Sequence, residues 1–138
     1  MLEALIGAAV GVLTIVLARA IRGQRWLYSI GLLTLPSLYA LFALQANERA
    51  VGINEMVYGI PFVVVGLVFA FVSVRHSAVV VGAFWILHGL YDLTHDRFIT
   101  NAGVPGWYPV FCFSVDVVVG GYLLWLSRRI SHADLRRA

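Results

Sequence analysis

Long apolar runs, separated by short groups of polar and charged residues, alternate along the whole chain. Five of them are long enough for an α-helix to cross a bilayer, which takes about 20 residues. They cover residues 2–20, 26–45, 56–74, 78–95 and 107–126. Membrane helices also tolerate the glycines and prolines inside these runs better than soluble helices do. The pattern predicts an all-α, polytopic membrane protein, with residues 1–138 forming one domain of five transmembrane helices.

Composition supports this prediction. Of the 138 residues, 61% are hydrophobic and only 12% are charged, whereas about 25% of a soluble domain is charged. A single cysteine excludes an internal disulfide. The first run begins with Glu3 and lacks the basic segment of a signal peptide, so we interpret it as a retained transmembrane helix.

The distribution of arginine predicts the orientation. The chain has ten arginines and no lysine, and most of its arginines would share one side of the membrane: Arg19, Arg22, Arg25, Arg75, Arg128, Arg129, Arg136 and Arg137. The other side would hold Arg49 and Arg97 among several acids. Because cytoplasmic loops are enriched in basic residues, we expect the N-terminus outside, the C-terminus inside, and a multi-pass protein of the plasma (inner) membrane. Topology thus accounts for the basic charge, and the expected partner is the lipid bilayer rather than nucleic acid.

The fourth and fifth runs carry ionisable residues at helical spacing. His88, Asp92 and His95 are four and three residues apart, so they share one face of a helix. In the fifth run, Cys112 and Asp116 also share a face. At about 1.5 Å per residue, His88 and Asp116 lie roughly 10 Å and 13 Å from the outer ends of their antiparallel helices. We therefore expect these two side chains to meet.

Ionisable groups at such depth face the interior of a bundle and pair with one another, since each one exposed to lipid costs a few kcal/mol. The sequence thus predicts an outward-facing polar pocket around His88 and Asp116. Glu55 and Tyr58, one turn apart at the start of the third run, and Cys112 are the predicted substrate-binding residues.

A metal site is the first interpretation of this pocket. The predicted ligands are His88, Asp92, His95 and Asp116, because imidazoles with carboxylates suit Zn²⁺, Mn²⁺ or non-haem iron. The protein would use such a divalent transition metal for a reaction on a lipidic small molecule, or it would sense or carry the ion.

Three alternatives stay open from the sequence. One is a metal-free isomerase or hydrolase in which His88 and Asp116 are catalytic and move protons on an apolar substrate. Another is a transporter or channel, formed as a homo-oligomer. The small-residue motif "GAAVG", with Gly7 and Gly11, would pack either between such subunits or within the bundle. The last is a hydrogen-bonded network that joins the helices without chemistry.

Three short motifs, "HGLYDLTH", "GVPGWYP" and "CFSVD", occur in this order between Trp85 and Gly121. In this arrangement the C-terminal half resembles the DUF6010-like family of small, uncharacterised bacterial integral membrane proteins. The resemblance supports five positions as site residues: His88, Asp92, His95, Cys112 and Asp116. It implies no particular reaction.

Overall fold

The structure, a computed structural model, describes residues 1–24 and 26–135, and this part of the chain is helical without any β-strand. Its α-helices are α1 (Leu2–Ala20), α2 (Leu27–Gln45), α3 (Arg49–Phe69), α4 (Val74–Thr94) and α5 (Tyr108–Leu135), with a 3₁₀ turn at His95–Arg97. All five are long and apolar enough to cross a membrane, which confirms the predicted fold class. Arg25, Arg136 and Arg137, used in predicting the orientation, lie outside the described residues, as does the side chain of Arg75.

The third helix begins earlier than its hydropathy suggests. Helix α3 starts at Arg49, about two turns before Met56, because the mixed segment "RAVGINE" continues the helix although it is not uniformly apolar. Gly52 of this extension packs against Ala40 of α2, and Glu55 is 2% exposed. The early start therefore carries a carboxylate into the bundle.

The helices run alternately up and down. Helix α5 packs on both α1 and α4, and α2 packs on α3, which contacts α4. We call the end that holds Met1, the α2–α3 turn and the α4–α5 loop the Asn101 end. The opposite end is the arginine-rich end, where Arg19, Arg22, Arg128 and Arg129 lie.

Glycines set the close approach of α1 to α5. A Cβ atom on Gly11 would lie 2.9 Å from Cβ of Val118, and one on Gly7 would overlap the carbonyl oxygen of Phe111. Both glycines are buried. The small-residue motif is therefore a packing surface within one chain, and the predicted oligomer interface through Gly7 and Gly11 is already occupied by α5.

The largest apolar cluster and the buried histidines and carboxylates occupy different parts of the bundle. Tyr28, Leu32, Trp85 and Leu123 belong to one buried apolar cluster. Large apolar side chains also cover the outer surface, as lipid contact requires, and Leu13 is 64% exposed. The buried ionisable residues lie nearer the Asn101 end, on the last turns of α4 and the first turns of α3 and α5.

Candidate functional site

Three side chains from α4 and α5 converge in the interior. The Nδ1 atom of His88 lies 2.9 Å from Oδ2 of Asp116 and 3.4 Å from Oδ2 of Asp92. One ligand atom from each residue lies within 4.8 Å of the other two. The three residues are at most 2% exposed. We call His88, Asp92 and Asp116 the three-residue group.

The local sequence explains this convergence. His88 and Asp92 are one turn apart on α4, so their side chains share a face. Gly89 lies where α4 meets α5, and a Cβ atom on it would be only 3.0 Å from Cβ of Asp116. The missing side chain at Gly89 lets the helices come close enough for the imidazole to reach the carboxylate.

Two carboxylate oxygens of this group have no hydrogen-bond partner. Asp92 Oδ2 and Asp116 Oδ1 are buried, and neither accepts a hydrogen bond from any atom of the described chain. Asp92 Oδ2 lies 3.4 Å from His88 Nδ1, which is close enough for an ion pair but long for a hydrogen bond. Burying a charged oxygen without a partner is costly. These oxygens therefore favour a ligand that donates a proton or positive charge.

Formal charge supports the same conclusion. A protonated His88 would balance one of the two aspartates, and the second would still need a proton or a cation. Among the described residues, no arginine pairs with either aspartate, and the chain has no lysine. The three-residue group thus combines nitrogen and oxygen donors with a deficit of positive charge.

His95 belongs to a second buried cluster. Its Nε2 atom lies 2.9 Å from Oε1 and 3.2 Å from Oε2 of Glu55. The side-chain amide of Asn101 donates to Glu55 Oε1 at 2.8 Å and to the carbonyl of Tyr39 at 3.0 Å. The structure therefore does not bring His95 into the predicted metal group, because the early start of α3 places Glu55 beside it instead.

Tyr39 of α2 joins the two clusters. Its hydroxyl donates to Asp92 Oδ1 at 2.7 Å, and its ring stacks on the imidazole of His95 with centroids 4.2 Å apart. Sequence reasoning missed both Tyr39 and Asn101. In the sequence they are marked only by their polar groups. Tyr39 is a tyrosine within an apolar run, and Asn101 is an asparagine in the turn-rich segment "TNAGVPG".

The predicted substrate-binding residues have different surroundings. Glu55 is paired with His95, and Cys112 is buried in an apolar cluster with Tyr39 and Tyr108. Tyr58 is 50% exposed on the outside of α3 and lies near the ring of Phe98. Of these three predicted residues, Glu55 and Tyr58 border a small space beside His88, whereas Cys112 does not.

That space is a small cavity rather than an open pocket. It measures about 10 Å³ and lies between α2, α3 and α4, lined by Pro36, Tyr39, Glu55, Tyr58, Gly59, Phe62, His88 and Tyr91. A cavity of this size holds about one water molecule. The α4–α5 loop covers the Asn101 end, since Asn101 is 6% exposed and Gly103 packs on the carbonyl of Phe42. The expectation of a pocket open to the outside is thus corrected: the site is enclosed.

No protein-family model, curated protein or solved structure matches this chain. The resemblance to the DUF6010-like family therefore stays a prediction from the motifs of α4 and α5. Functional inference accordingly depends on the geometry of the two buried clusters.

The Glu55–His95 pair gives a direct test of the second cluster. We expect His95→Ala to lower the free energy of unfolding by about 3–5 kcal/mol, because removing one partner leaves a buried carboxylate uncompensated. Thermal and denaturant unfolding in detergent would measure the change. His76→Ala is the matched control, because His76 is exposed and, among the described residues, its side chain bonds to the neighbouring hydroxyl of Ser73. Equal stability of the two variants would show that the pair does not support the fold.

Proposed function

We propose that this membrane protein binds a divalent transition metal ion through His88, Asp92 and Asp116. The observation that carries the proposal is the pair of unpartnered, buried carboxylate oxygens beside the Nδ1 atom of His88. Imidazole nitrogen and carboxylate oxygen are ligands that Zn²⁺, Mn²⁺ and Fe²⁺ accept. A dication would also supply the positive charge that the two aspartates lack.

The number of donors favours a site with an open position. Catalytic zinc sites have three protein ligands and leave a fourth position for water or substrate, and the three-residue group offers three. The adjoining cavity, with room for about one water molecule, borders His88. An ion held there would polarise a bound group or lower the pKa of a bound water.

The same geometry favours ion binding over direct chemistry on a lipidic molecule. A substrate with an acyl chain does not fit a cavity of about 10 Å³. Such a molecule would enter beside Tyr58 only if α3 and α4 moved apart. The enclosed site also gives no support to the metal-free isomerase or hydrolase, which needs an apolar pocket next to His88.

We also propose that the protein lies in the plasma (inner) membrane of a bacterium, with the Asn101 end outside. Support comes from the arginines at the opposite end, because basic residues are retained in the cytoplasm, and from the resemblance to a bacterial family. A reporter enzyme that works only in the cytoplasm should be active when it is fused to Ala138. Activity of an extracytoplasmic reporter at that position would reverse the orientation.

Metal analysis of detergent-purified protein tests the binding proposal. After exposure to Zn²⁺, Mn²⁺ or Fe²⁺, we expect about one tightly held ion per chain, bound by three protein ligands. His88→Ala and Asp116→Asn should lose this ion because each removes a ligand. His95→Gln and His76→Ala should keep it, since neither residue belongs to the three-residue group. A metal-free wild type under these conditions, or unchanged metal content in His88→Ala, would overturn the proposal.

The hydroxyl of Tyr39 supplies a second, finer test. Tyr39→Phe removes the hydrogen bond that fixes Asp92 Oδ1, and loss of such a supporting bond usually weakens metal affinity by about 10–100-fold. Competition with a chelator of known affinity would measure this loss. Tyr28→Phe is the matched control, because the buried hydroxyl of Tyr28 has no hydrogen-bond partner in the described chain. Equal affinities in the two variants would remove Tyr39 from the site.

A further inference from the structure

A second feature lies on the lipid-facing surface, away from the three-residue group. It is a groove of about 600 Å³ between α2 and α3, within the range of about 300–1,000 Å³ typical of small-molecule sites. Arg49 is the one charged residue that lines it, and the others are apolar. The buried clusters lie on the other side of α3, where Glu55 faces His95.

The sequence forms this groove by placing small residues between large ones. Its floor contains Gly52 and Ala40, which are buried. Its walls include Leu44, Ile53 and Met56, which are 52%, 65% and 40% exposed. The α2–α3 contact itself therefore forms the depression, since every lining residue belongs to one of these two helices.

The groove is long enough to cross one leaflet of a bilayer. Along α3 it extends from Arg49 to Val63, which corresponds to about 21 Å of helix at about 1.5 Å per residue. Half of the hydrocarbon core is about 15 Å thick. A chain that begins at the membrane surface near Arg49 can thus lie in the groove down to the middle of the membrane.

Arg49 gives the groove a polar end with anion-binding character. It is exposed at the first position of α3, and none of the ion pairs among the described residues includes it. No side chain caps the helix start, so the amide groups of its first turn also favour an anion. The preceding residue, Glu48, is partly buried, and its Oε2 atom is fully so.

We propose that this groove binds one phospholipid, with its phosphate on Arg49 and an acyl chain between α2 and α3. A planar guanidinium binds phosphate through two parallel hydrogen bonds, and the apolar walls match the chain. A second copy of the protein suits the surface less well. In a two-fold dimer within a membrane, both Arg49 side chains would lie at the same depth at the shared interface, and their like charges would repel.

Native mass spectrometry of the full chain in detergent, with added dioleoyl phosphatidylethanolamine, tests this proposal. We expect one phospholipid to be retained per chain. Arg49→Gln should weaken this retention at least about tenfold, which is about 1.4 kcal/mol of binding free energy, because the variant lacks the cation that binds the phosphate. Ile60→Trp should also weaken retention by filling the groove, and its position is 53% exposed, which spares the core. Arg97→Gln is the matched control, because it removes an exposed cation at the same end.

Comparison ligands separate the sources of binding. Dioleoylglycerol, which has the same chains without phosphate, should bind much more weakly, and inorganic phosphate alone should not compete. Equal retention by wild type and Arg49→Gln, equal binding of dioleoylglycerol, or competition by free phosphate would each overturn the proposal. So would a dimer that Ile60→Trp converts to monomer without loss of lipid. Metal content of each variant, measured in parallel, separates this result from the proposed metal site.

Discussion

The hydrogen bond between His88 and Asp116 is the interaction on which this account of the molecule depends. It joins α4 to α5 at a depth where an unpaired charge would be costly, and Gly89 makes the approach possible. Asp92, one turn from His88, adds a second carboxylate that the imidazole cannot balance alone. A buried group with this composition can hold a metal ion, while each unpaired buried oxygen weakens the fold.

The rest of the polar interior supports this group. Tyr39 donates a hydrogen bond to one oxygen of Asp92 and stacks on His95. Glu55 pairs with His95, and Asn101 donates to the backbone carbonyl of Tyr39. The loop residue Asn101 thus stabilises both clusters and closes the bundle above them. The largest buried apolar cluster, around Tyr28, Leu32 and Trp85, lies nearer the arginine-rich end. It and the candidate site therefore occupy different levels along the helix axes. The groove at Arg49 lies outside both regions and faces the lipid.

The sequence predicted most of what regular helix geometry determines. The five helices follow from run length, and the meeting of His88 with Asp116 follows from spacing and depth on two antiparallel helices. The sequence grouped His95 with the predicted metal ligands, whereas the structure pairs it with Glu55. Judged by hydropathy, the third run starts at Met56, so Glu55 was expected at a helix end and not inside the bundle. Tyr39 and Asn101 were missed because contacts between α2, α4 and the loop leave no periodic signal. Gly7 and Gly11 indicated close packing correctly, yet a local motif does not specify whether its partner lies in the same chain.

Metal binding by the three-residue group would be visible in an anomalous-scattering map of metal-soaked crystals, recorded at the absorption edge of the ion. We expect one strong peak within about 2.0–2.2 Å of His88 Nδ1 and of a carboxylate oxygen from each of Asp92 and Asp116. His95 should remain on Glu55, outside the coordination sphere. A map without density among the three side chains, with the 2.9 Å bond from His88 to Asp116 retained, would contradict metal binding by this group.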